Sequence, residues 1–234
     1  MSEPFENILN DEAVETDYNT RFAIGLCGIR RVGKSTTAKF LKKKFGVSNI
    51  TAVIVSFGDA VKQEVSEAYD FDIAYCYDDD LKDTKVITFV MPEGDPRIPD
   101  TAVKVDDNTY EATVRELMQW YATDYRRAQD PDYWTKKTIA AAEYQLISNQ
   151  VVIFDDIRFP NEVEAIKVFP RNLFIKLHPH EKYVSTSANG HFSETALKNY
   201  NIELEVTPKF GKFYLQLLAN DIFKTPEVGE FLKN

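Results

Sequence analysis

A three-layer α/β fold, with a parallel sheet held between two sets of helices, is the architecture this sequence predicts, and three observations predict it. An apolar run at residues 21–29 (RFAIGLCGI) ends in glycine, residues 34–45 (KSTTAKFLKKKF) follow with apolar side chains at helical spacing, and further β-branched runs then alternate with helical stretches. That alternation is the signature of βα units, which close into parallel sheets. The 234 residues fit one generous domain able to bury a core without disulfides or metals.

Taken in order, the first strand leads through a glycine turn into a helix whose Ala38, Leu41 and Phe45 share a face opposite lysines, with Gly46 as its expected stop. Residues 50–57 (ITAVIVSF) read as a second strand and 59–69 as a second helix. From 78 to 108 the pattern breaks into acids and prolines (Pro92, Pro96, Pro99) with brief β-like stretches at 86–90 and 102–105. This segment is either a hairpin or flap over a site, or an excursion at the surface. Thr113 and Glu116 have capping-box spacing and open a helix expected to run to Arg127. Asp130 as N-cap with Pro131 behind it starts the next, through residue 147. A strand at 151–154, a short helix capped by Asn161 and running to 168, a strand at 173–177 and a closing helix at 210–222 complete the list.

Composition narrows the function. A hydrophobic share of 44% suits an ordinary globular domain, and a net charge of −9 excludes a chain that wraps long nucleic acid, which needs a basic face. Small anions remain open to it, because a few local cations hold a phosphate on an acidic protein. Cys27 and Cys76 are too few for a disulfide framework, and His178, His180 and His191 lack the company of a zinc site. Residues 1–20 are acidic and without an apolar run, hence expected to be a solvated tail before a single domain at 21–234. A cytoplasmic protein follows as the expectation, with no membrane partner and room for a homodimer.

The strongest signal is Gly28-Ile29-Arg30-Arg31-Val32-Gly33-Lys34-Ser35, the full G-x-x-x-x-G-K-[ST] pattern between a strand and a helix. Its glycines let backbone N–H groups curl around phosphate oxygens at the positive end of the helix. Gly28, Arg31, Gly33, Lys34, Ser35 and Thr36 are therefore the expected ATP site, with Lys34 at the β/γ-phosphates, Ser35 on Mg2+ and Thr36 near the α-phosphate. Asp155 and Asp156 end the 151–154 strand, where ligands gather. Strict alternation would put Asp156 and Arg158 on one face and Asp155 on the other. Either one of these carboxylates organises the metal or acceptor, or both merely cap the next turn; Asp156 is taken as the metal partner of Ser35. Helical spacing aligns Arg115, Gln119, Ala122 and Arg126 on one face, with Thr123 and Arg127 flanking it, as suits an acceptor phosphate; a solvated helix face is the alternative. Trp134 either packs in the core or stacks on a base.

Together these residues resemble the bacteriophage deoxynucleoside monophosphate kinases, a branch of the P-loop kinases. The likeness runs from about residue 22 to 196. It rests on the phosphate loop, the Ser56-Phe57-Gly58-Asp59 turn, Arg115-Glu-Leu-Met-Gln119-Trp-Tyr-Ala-Thr123-Asp124, Asp130-Pro-Asp-Tyr-Trp134 and Asp156-Ile-Arg158-Phe-Pro-Asn161-Glu162. The resemblance implies ATP-dependent phosphorylation of a deoxynucleoside monophosphate, in a host cytoplasm. It implies an acceptor site shaped by Asp59, Lys62, Arg115, Gln119, Thr123, Trp134, Asp156, Arg158 and Glu162, with Lys34, Arg115, Arg126, Arg127, Asp156 and Arg158 serving the transfer. Ala122 stands where that family favours glycine. The phosphate loop alone also suits a kinase of another small metabolite, such as a dephospho-coenzyme A kinase, or a nucleotide-dependent switch.

Overall fold

Every residue of β1 (Phe22–Cys27) is buried, as a strand covered on both faces requires. A computed structural model describes residues 21–180, 196–197, 199–209 and 211–233; the acidic segment 1–20, His191 and Phe210 lie outside them. After β1 come α1 (Lys34–Val47), β2 (Ala52–Val55) and α2 (Phe57–Ala68). A 3-10 turn (Ile73–Cys76), α3 (Asp79–Thr84), β3 (Val86–Val90), β4 (Val103–Asp106) and β5 (Thr109–Thr113) follow. The chain then forms α4 (Val114–Gln119), a π-helix (Trp120–Arg127), α5 (Tyr133–Leu146), β6 (Val151–Ile157) and α6 (Pro160–Ile166). It ends with β7 (Asn172–Leu177), β8 (Leu204–Val206), α7 (Lys212–Ile222) and α8 (Pro226–Phe231).

The main sheet has the order β2-β6-β1-β7-β8 with every pair parallel. One face packs on α1, α7 and α8 through Leu26, Leu41, Phe45, Ile153, Leu218 and Phe231, and the other on α5 and α6 through Phe154, Leu146 and Ile166. This is the three-layer α/β fold expected. Strand β1 lies between β6 and β7, so the chain's direction of travel across the sheet reverses beside it and leaves a crevice at the carboxyl ends of β1 and β6.

The segment 78–113 makes a second, antiparallel sheet, β3-β5-β4. β3 alternates exposed and buried residues, and Ile87, Phe89, Tyr110 and Ala112 pack with α2, α4 and Trp134 in a third core. Strands β5 and β8 and helix α8 carried no separate sequence signal, being short.

Several boundaries differ from expectation, each for a local reason. Helix α1 passes through Gly46, and Asn49 takes the left-handed conformation (φ 58) after it. α2 starts at Phe57, because a carboxylate from β6 accepts its first amides (below). Asp130 caps a turn rather than a helix, accepting the amide of Asp132, and α5 opens at Tyr133. Phe159, not Asn161, occupies the N-cap of α6, with Pro160 in the first turn. Among the described residues no helix is long and apolar enough to cross a membrane.

Candidate active site

The phosphate loop leaves β1 in a conformation that only its sequence permits. Gly28 has φ 134, and a Cβ there would lie 2.3 Å from the carbonyl oxygen of Leu177; Gly33 has φ 102, and its Cβ would press on Leu215 of α7 at 2.7 Å. The closing helix thus seals one side of the loop. Arg31 is held left-handed (φ 63) between them. Thr37 is the first residue of α1 whose amide reaches a helical acceptor, Gly33 O at 2.9 Å, so the amides of Lys34, Ser35 and Thr36 precede the internal ladder and suit an anion. Lys34 is only 8% exposed and folds its ammonium onto the carbonyls of Gly28 (2.7 Å) and Ile29 (2.8 Å). Burial, aided by the charge of Arg158, lowers its pKa to about 8, against the pull of Asp156 and Asp155. Ser35 is exposed beside it, and Thr36 half-buried. A glycine cradle, a buried ammonium and orphan amides fit ATP, with Ser35 available to Mg2+.

At the end of β6 the alternation reading fails. Gly25 pairs with Phe154 but Cys27 with Ile157, so two steps on β1 span three on β6. This bulge inserts one residue, and Ile157 lands in the same core as Val152 and Phe154. Asp155 and Asp156 consequently reach the same turn. Asp155 accepts the hydroxyl of Ser56, while Asp156 accepts the amides of Phe57 (2.7 Å) and Gly58 (2.8 Å) and so caps α2 from outside. Burial and the neighbouring Asp155 push the Asp156 carboxyl above its usual range, with the two amides and Arg158 opposing.

The cationic helix also departs from the expected stripe. Beyond Gln119 it is a π-helix, whose i→i+5 bonding shears the i,i+4 register, and the carbonyl of Ala122 accepts the indole N–H of Trp134 at 2.9 Å. Arg126 turns to Glu64 of α2 (3.1 Å) and stacks on Tyr133, whose ring centroid is 4.8 Å away. Glu64 also accepts from Lys137 and Tyr133, and these bonds outweigh burial and hold its carboxyl below the usual range. Arg127 turns the other way, 2.5 Å from Glu162 and 3.9 Å above the Phe159 ring. Arg115 pairs with Asp83 of α3, leaving its Nη2 buried with no hydrogen-bond partner.

Glu162 is 2% exposed, and its Oε2 accepts the amides of Arg158 (2.7 Å) and Phe159 (3.1 Å). It orders the backbone after β6 rather than facing a ligand. Burial raises its pKa to about 7, although Arg127 and the amides pull down. Beside it an open cavity of about 390 Å³ is lined by Thr123, Arg127, Pro131, Asp132, Phe159 and Asn161. Trp134 is 1% exposed inside the third core, which leaves no ring face for a base. Asp59 and Lys62 pair with each other at 2.7 Å on the first turns of α2, and Gln119 is half-buried on α4. The thiols of Cys27 and Cys76 are both buried, which pushes Cys27 up to about 12.

Sequence reasoning missed Glu64, Asp79 and Asp83, and it placed Ser56 and Phe159 within motifs without giving either a role in the site. Of the missed acids, only Asp79 and Asp83 carried a local signal, their i,i+4 spacing, and it reads equally as a solvated helix face.

No protein-family profile and no curated protein matches the sequence. Among solved structures, an APS kinase of Mycobacterium tuberculosis is similar at 10% identity and TM-score 0.43, over 88% of this chain and 99% of that one. An unliganded sugar kinase from Janibacter shows 12% identity and TM-score 0.38 (89% and 97% covered), and a gluconokinase from Sinorhizobium meliloti 16% and 0.36 (87% and 97%). Scores this low carry no argument about activity, which rests on the geometry.

Proposed function

We propose that this chain is an ATP- and Mg2+-dependent kinase that phosphorylates a deoxynucleoside monophosphate, giving the diphosphate and ADP. One observation carries the reading: β6 pairs with β1 as far as Cys27 and Ile157, so Arg158 leaves β6 next to where the phosphate loop leaves β1, and the next residue, Phe159, walls the 390 Å³ cavity under the Arg127 guanidinium. A second anion is thereby offered a seat beside the triphosphate, with room for a planar base against Phe159. The deoxy sugar rests on the motif likeness alone.

In this reading the amides at the start of α1 and Lys34 hold the donor. Arg158 and Arg115 steady the acceptor phosphate in line with the γ-phosphorus. An acceptor phosphate oxygen bonds to that phosphorus as the bond to the ADP oxygen breaks, with no covalent enzyme intermediate. Magnesium, when bound, neutralises charge on the β- and γ-phosphates, and Ser35 with the strand-end carboxylates Asp155 and Asp156 would hold it and its waters.

The test is a product screen with ATP, Mg2+ and each deoxynucleoside and ribonucleoside monophosphate, with dephospho-coenzyme A alongside. Diphosphate formed from a deoxynucleotide supports the reading. Acceptor-independent ATP hydrolysis alone, or product only from dephospho-coenzyme A, overturns it.

A further inference from the structure

We propose that Asp83 is a positioning residue of the transfer step, which holds Arg30 of the phosphate loop and Arg115 of α4 side by side so that donor and acceptor anions meet one prearranged cationic fork. The proposal rests on the kinase reading above for its chemistry, but its geometry stands apart from it.

Asp83 Oδ2 lies 3.4 Å from Arg30 Nη2, while Oδ1 accepts from Arg115 Nε. Asp79, one turn earlier on α3, adds contacts to Arg30 (3.6 Å) and Arg31 (3.9 Å). Three guanidiniums from two distant parts of the sequence are thus gathered by two carboxylates. Like charges this close repel, so the gathering needs the acids. A positive excess remains, as these two acids face three arginines and Lys82, which pairs with Asp79 at 3.1 Å. Hydrogen bonding from Arg115 and the charge of Arg30 hold the Asp83 carboxyl below its usual range, so it stays ionised.

The arrangement is incomplete as it stands. Arg115 has five donor hydrogens; Asp83 takes the Nε edge, and Nη2 is buried with no acceptor. An unpaired buried donor is costly; Nη2 itself is closed to solvent, and it is the exposed part of the guanidinium, on a side chain 26% exposed, that an arriving phosphate can meet. A merely structural role for Asp83 is disfavoured by its exposure: its side chain is 45% exposed, and ion pairs of that kind contribute little to stability. α3 belongs to the segment that leads into β3–β5, so Asp83 and Asp79 tie that segment to the phosphate loop.

The experiment compares wild type, Asp83→Asn and Asp83→Glu in two measurements. In the first, inorganic pyrophosphate is titrated calorimetrically into protein saturated with Mg2+ and a non-hydrolysable ATP analogue. Asp83→Asn is expected to weaken pyrophosphate about 5-fold or more, as a coupling between sites does, and Asp83→Glu to retain most of the affinity. Affinity for the ATP analogue itself is expected to change less than about 3-fold. In the second, turnover of the deoxynucleotide acceptor is expected to show a raised acceptor KM in Asp83→Asn with the ATP KM nearly unchanged. Equal pyrophosphate affinity in wild type and Asp83→Asn overturns the proposal. Tighter binding in Asp83→Asn also overturns it, since Asp83 would then be a competitor of the anion. A wild type that turns over no deoxynucleotide sinks the kinase reading, while the titration still decides the role of Asp83.

Discussion

Glu162 accepts the peptide N–H of Arg158 at 2.7 Å, so a buried carboxylate on α6 fixes the backbone of the cation that follows β6, next to where β1 ends. Its folded pKa of about 7 exceeds its ordinary 4.5. The native state therefore binds more protons than the unfolded state between these values, and the contribution of Glu162 to stability falls as pH rises from about 4.5 through 7. Urea unfolding of wild type and Glu162→Gln across that range is expected to show the decline in wild type and its absence in the variant. Glu162→Ala, which strands Arg127 and two amides, is expected to cost about 3–5 kcal/mol.

Lys34 shifts in the opposite sense. Its folded pKa of about 8 lies below the usual 10.5, so the unfolded state binds more protons between the two, and wild-type stability should rise from pH 8 to 10.5 relative to Lys34→Met. A triphosphate restores the charge, and nucleotide binding near pH 8.5 is expected to take up about three-quarters of a proton. Calorimetry in buffers of different ionisation enthalpy measures that uptake.

Gly28→Ala places a methyl 2.3 Å from Leu177 O on a backbone with φ 134. The strain is expected to cost about 2 kcal/mol or more in thermal unfolding and to abolish nucleotide binding.

Trp134→Phe separates core packing from base stacking. Losing the bond to Ala122 O and some volume is expected to cost about 1–3 kcal/mol. The acceptor KM should change less than about 2-fold, and a large rise in it alone would return Trp134 to the base site.

What the sequence disclosed was local. Strand, glycine turn and amphipathic helix are consecutive in β1, the phosphate loop and α1, and the capping box of Thr113 and Glu116, three positions apart, is present as expected. Features made by distant residues were not legible. Asp156 caps α2 from 98 positions further along the chain, and that decides where α2 begins. The bulge in β6 exists only in register with β1, so alternation separated Asp155 from Asp156 when both serve the Ser56–Gly58 turn. The π-helix sends Arg126 and Arg127 to acids on different helices, Glu64 and Glu162, where regular α spacing had aligned Arg126 with Arg115.

In the proposed kinase two phosphate-bearing ligands sit together, one in the glycine cradle and the other against Arg158 and Arg115. A bisubstrate ligand, adenosine joined to a deoxynucleoside through five phosphates, tests it most directly by calorimetric titration with Mg2+. Binding at least about 100-fold tighter than ATP is expected, since linking makes the second contact intramolecular. Affinity equal to or weaker than that of ATP would contradict it.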